Sequence, residues 1–173
     1  VHYHPDDDVD LRLEQEARLA ELWAATRDTG NELLLEVIPP RAHGGDADAA
    51  VLRAIRRFYT LGLKPEWWKL APMRPESWAA LAALVEARDP HCRGVVILGL
   101  NQPLAELERG FAQATHPLVK GFMVGRTLWA GPSLDWLRGA IDDGALVAQV
   151  AANFEALVDA WRATRPSPTA LAA

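Results

Sequence analysis

The chain has three lysines, Lys64, Lys69 and Lys120, against fifteen arginines. Lys69 stands inside the apolar run Trp67-Trp68-Lys69-Leu70, which ends near Pro72. An amine attacks a carbonyl only in its neutral form, and an apolar wall disfavours the charged form. A lysine at such a position therefore suits Schiff-base chemistry. It equally suits an ion pair inside a sheet, with Glu36 as the partner. Glu36 interrupts a second apolar run, Leu33-Leu34-Leu35-Glu36-Val37-Ile38, bounded by Pro39-Pro40. A buried carboxylate is costly unless paired or hydrogen-bonded. Glu36 reads either as a general acid/base or substrate ligand, or as a strand-end carboxylate reaching solvent or an arginine. Lys120 reads as a second inward amine or as a strand-start lysine that snorkels to solvent.

Two glycine-containing strand ends add anion-binding chemistry. Gly99-Leu100-Asn101 and Gly125-Arg126 each close an apolar segment. Glycine lets a phosphate approach the backbone, and the following helix offers free N–H groups. Arg126 adds a bidentate donor. The bland alternative is a pair of tight turns with a surface arginine. Trp129 stands where it could line a pocket mouth. His2, His4 and His43 do not form a metal signature, and the adjacent His91 and Cys92 lack a spaced partner, so no metal site is expected. Asp6 to Asp8 read as a solvated turn and helix cap. No G-x-G-x-x-G follows a strand and no Walker-type loop is present; no cofactor is expected.

These residues sit on an alternating pattern. Val1–His4 reads as a short strand stopped by Pro5-Asp6-Asp7-Asp8. A helix follows from about Asp10 to Thr29, ended by Gly30. Strands are expected at 33–38, 67–70, 94–98 and 118–124, and helices at 47–61, 76–87, 104–114 and about 133–163, the last broken near Asp142-Asp143-Gly144. The order is βαβαβαβαβα, which predicts an α/β protein with a parallel sheet. An open doubly wound sheet and part of a (β/α) barrel both fit. In either, chemistry sits at the carboxyl ends of the strands.

Length and charge narrow the classes. The 173 residues suit one domain, spanning 1–165 with a frayed tail at 166–173, and the net charge is -5. A mildly acidic chain argues against a nucleic-acid surface. No apolar run approaches the roughly 18–20 residues of a membrane span, so no membrane partner is expected. One cysteine and no visible signal peptide predict a cytoplasmic setting.

Four segments carry a resemblance: Val1-His2-Tyr3-His4-Pro5-Asp6-Asp7, Leu35-Glu36-Val37-Ile38-Pro39-Pro40, Trp67-Trp68-Lys69-Leu70 and Gly121-Phe122-Met123-Val124-Gly125-Arg126-Thr127-Leu128-Trp129. They resemble the domain of unknown function fused C-terminally to bacterial 5-dehydro-2-deoxygluconokinases of myo-inositol catabolism, over nearly the whole chain. More distantly the chain resembles class I tagatose-bisphosphate aldolases, Schiff-base enzymes on a (β/α)8 barrel. The resemblance implies a TIM-barrel-type fold, covering about the fourth to eighth βα units. It implies Lys69 as the Schiff-base lysine and Glu36 as the proton-transfer group. It places Tyr3 on the fourth strand, Gly99 and Asn101 at the seventh and Gly125-Arg126 at the eighth, all as substrate- or phosphate-binding positions. The implied activity is cleavage of a phosphorylated keto-deoxy sugar acid of the 5-dehydro-2-deoxy-phosphogluconate type. The implied partner is a kinase domain in the same polypeptide. Where the aldolases carry a carboxylate two residues after the lysine, this chain has Ala71. That departure favours a rival, a non-catalytic sugar-phosphate-binding or accessory domain. A barrel needs about 250 residues, so an incomplete barrel with open edges, prone to form a homo-oligomer, is expected.

Overall fold

The computed structural model describes residues 1–165. The tail expected at 166–173 lies outside the described residues. Four strands form one parallel sheet: β1 (Leu34–Glu36), β2 (Trp67–Leu70), β3 (Gly94–Leu98) and β4 (Val119–Met123), in the spatial order β1-β2-β3-β4. Six α-helices accompany them: α1 (Val9–Thr29), α2 (Ala47–Thr60), α3 (Pro75–Arg88), α4 (Leu104–Gln113), α5 (Arg126–Leu137) and α6 (Asp143–Ala163). A 3-10 turn covers Arg41–His43.

Each strand lies beside its sequence neighbour, and every pairing is parallel. Right-handed crossovers that always advance one strand in the same direction put their helices on one side of the sheet. The described strands therefore contain no reversal of order, the feature that marks a doubly wound sheet. The burial pattern agrees. Leu35, Trp68, Leu70, Val95, Ile97 and Val119 join the core cluster, together with Phe58, Trp78, Leu107, Phe111 and Leu157 from the helices. The alternate strand residues Leu34, Glu36, Trp67, Lys69, Val96 and Gly121 stay partly exposed.

Two sequence expectations change. Val1–His4 is not a strand but a single parallel bridge, His2 to Ile38. Pro5 removes a backbone donor and ends the pairing. The last helical region starts at Arg126 instead of Ser133, and Pro132 lies inside α5. In the second turn of α5, Pro132 has no N–H to donate to the Leu128 carbonyl, which instead accepts from Asn153 Nδ2 at 2.7 Å. The break foreseen near Asp142 is real and separates α5 from α6, with Asp142 capping α6 by accepting from Ala145 N–H. Gly30 ends α1 in the left-handed conformation, as its position predicted.

Candidate functional site

Parallel register sets the first part of the site. Glu36 pairs with Lys69, Lys69 with Val96 and Val96 with Gly121, so these four share one row on the face without helices. Side chains in one row of neighbouring strands point the same way. Lys69 Nζ lies 3.1 Å from Glu36 Oε1, and both side chains remain partly exposed, at 20% and 34%. A pair this accessible contributes on the order of 1 kcal/mol or less. It orients the two groups over a cleft more than it holds the sheet.

That cleft, about 470 Å³, opens at the carboxyl ends of the strands. Gly99, Asn101, Gly125, Arg126 and Trp129 line it together with Lys69 and Glu36. The structure thus brings together every expected catalytic or phosphate-binding residue except one. Tyr3 is buried in the core, with its ring against Phe58 and its hydroxyl donating to Glu16 Oε1 at 2.7 Å. Burial and that carboxylate push its phenol up to about 12. Its neighbour His2 lines the cleft instead. Period-2 alternation forces this exchange: one of the two must face the helices. Lys120 is exposed on β4, with its stem beside Gly94 at the opposite, amino-terminal end of β3.

The glycines and their turns have structural reasons as well. A Cβ on Gly99 would stand 2.8 Å from Val124 Cγ1. The chain then turns through Leu100 and Asn101, both left-handed (φ 46° and 58°). Asn tolerates that region; a leucine there is strained by about 1–2 kcal/mol. Such strain gathers at binding sites, and Leu100 lines the cleft. Helix α5 begins at the cleft with Gly125 as its N-cap and no side-chain cap. Its first N–H groups are therefore unmatched within the helix. Thr127 Oγ1, in the same turn, is buried without a hydrogen-bond partner among the described residues. Arg126 is exposed and forms no ion pair among them.

Sequence reasoning missed His2 and Thr127. The phase of a four-residue segment could have indicated His2, had the helix-facing side been known. A first-turn threonine after Gly-Arg was legible only with the helix start in hand.

The arrangement defines a parallel α/β protein with an amine, a carboxylate and an uncapped helix start around one strand-end cleft. The chain belongs to the family described as an uncharacterized protein conserved in bacteria (DUF2090), whose match covers residues 1–165. No curated protein matches the chain. Among the described residues no helix is long and apolar enough to cross a membrane, and no group of three or more potential metal ligands occurs.

Proposed function

We propose that the chain is the aldolase-like part of a class I, Schiff-base carbon–carbon lyase acting on a phosphorylated keto-deoxy sugar acid. The observation that supports this reading is the Lys69–Glu36 pair, 3.1 Å apart at the carboxyl ends of adjacent parallel strands. Lys69 Nζ, once it has passed a proton to Glu36 or water, attacks the substrate ketone. The new N–C bond forms as the carbonyl oxygen takes protons and leaves as water, giving an iminium. Glu36 then takes the proton of the hydroxyl two carbons from the iminium carbon. The bond between that hydroxyl-bearing carbon and the carbon next to the iminium breaks, an aldehyde departs, and the electron pair passes to the iminium as an enamine. Protonation and hydrolysis release the ketone product and restore Lys69. Arg126 and the start of α5 are suited to the substrate phosphate.

In this reading the sheet is part of a (β/α) barrel, and the domain works in the cytoplasm beside a kinase domain of the same polypeptide, with a second copy available at its open edges. Ala71, two residues beyond Lys69, favours one rival: a domain that binds a sugar phosphate without turning it over.

Borohydride trapping separates the two. Incubating the protein with the phosphorylated keto-deoxy sugar acid and borohydride gives a covalent adduct on Lys69, located by mass spectrometry and lost in Lys69→Ala and Lys69→Arg. An adduct undiminished in both variants rejects the assignment. Calorimetric binding with no adduct supports the non-catalytic domain.

A further inference from the structure

The His-Pro-Asp-Asp segment, His4 to Asp7, takes no part in the Lys69 cleft. It borders a separate cleft of about 310 Å³, between the turn at residues 4–8 and the start of α2. We propose that this second cleft is a ligand site for a small, uncharged polyhydroxylated molecule.

The anchor is His4. Only 6% of its surface is exposed. Its Nδ1 accepts from Asp6 N–H at 3.1 Å, which puts the ring proton on Nε2. Nε2 has no partner among the described residues, yet His4 lines the cleft. Its ring N–H is open to the cleft and can donate to a ligand oxygen there. The surrounding bonds hold the ring firmly. His4 N–H donates to Asp7 Oδ2 at 2.8 Å, and Asp7 Oδ1 meets His43 Nε2 at 2.5 Å. The His43 ring stacks on His4 with centroids 4.1 Å apart and planes 3° from parallel. The site is therefore built before anything binds.

Charge selects the ligand class. Arg53, the one arginine or lysine lining the cleft among the described residues, is held by Asp6 through bonds of 2.9 and 2.6 Å. Asp46 caps α2 and pairs with Arg74 at 2.6 Å. Neither pair leaves a spare positive charge, and two carboxylates oppose a phosphate. Hydroxyl groups meet no such opposition. They accept from His4 Nε2–H and Arg53 N–H, and donate to the carboxylates of Asp6 and Asp46. Gly44 and Gly45 are left-handed (φ 62° and 75°), and a Cβ on either would meet nothing within 4 Å, so the rim is open to an incoming ring or chain.

Imidazole NMR signals give a direct readout. D-glucose, D-sorbitol and glycerol are titrated into the protein, with inorganic phosphate as the contrasting probe. At least one polyol should shift the His4 and His43 ring signals saturably. His4→Asn keeps an oxygen for Asp6 N–H and removes the cleft donor. Ala49→Phe, at an exposed position of α2, fills the cleft. Each should weaken polyol binding at least tenfold, and Lys69→Ala should leave it unchanged. The proposal is overturned by no saturable shift with any polyol, by equal affinity in Ala49→Phe, or by phosphate binding tighter than the polyols.

Discussion

Tyr3 and His2 are adjacent in the chain and face opposite layers, and the buried Tyr3 makes a prediction. Tyr3→Phe removes the donor to Glu16, whose carboxylate keeps its two bonds from Arg57 at 3.0 and 2.6 Å. Denaturant unfolding should show a loss of about 1 kcal/mol, with Lys69 trapping unaffected. Asp89 makes a pH prediction. It is 3% exposed and its Oδ2 has no partner. Burial raises its carboxyl above the ordinary value, outweighing the bond from His91 N–H. The folded state thus binds the proton more tightly than the unfolded state. Its favourable contribution is complete below the unfolded pKa and is lost as pH rises through the folded one. Asp89→Asn should therefore gain stability relative to wild type between acid and neutral pH, read as a difference in Tm across that range. A constant difference would show that ionisation of Asp89 has no part. Lys69 and Glu36 were legible in the sequence because a charged residue inside an apolar run has few reasons to be there. His2 was not, because four residues carry no phase without the layer they pack against.

At the scale of elements, most starts and stops follow from local chemistry. Asp8 caps α1 by accepting from the N–H groups of Asp10 and Leu11, and Asp8→Ala should lower stability by about 1 kcal/mol. The start of α5 escaped notice because nothing caps it, and because Gly131-Pro132 reads as a break, whereas the Leu128 carbonyl that Pro132 leaves without an amide is satisfied by Asn153 Nδ2. Gly94 is the position where β3 and β4 cannot tolerate a side chain. Its φ is 140°, and a Cβ would stand 2.7 Å from the Leu118 carbonyl oxygen. Gly94→Ala should cost about 2 kcal/mol or more, lowering Tm by several degrees in calorimetry. A neutral substitution would mean that the two strands separate freely at that end.

At the scale of the whole molecule, the sheet is covered by helices on one face only among the described residues. Lys69, Glu36, Val96 and Gly121 occupy the other, and Met123 and Phe154 are exposed near β4. Sedimentation velocity should show association that grows with concentration. A single monomeric species at all concentrations would show that the uncovered face is tolerated as it stands. The α/β class and the strand order were legible because each strand alternates with a helix in sequence. The extent of curvature was not, since it depends on what meets the two edges.

β4 pairs with β3 alone among the described residues. In a strand bonded on one side, successive amides alternate between a partner and open solvent. Deuterium should therefore enter Val119–Met123 in a two-speed rhythm, every second amide exchanging early and its neighbours late. β2 and β3, bonded on both sides, should take up label slowly and evenly along their length.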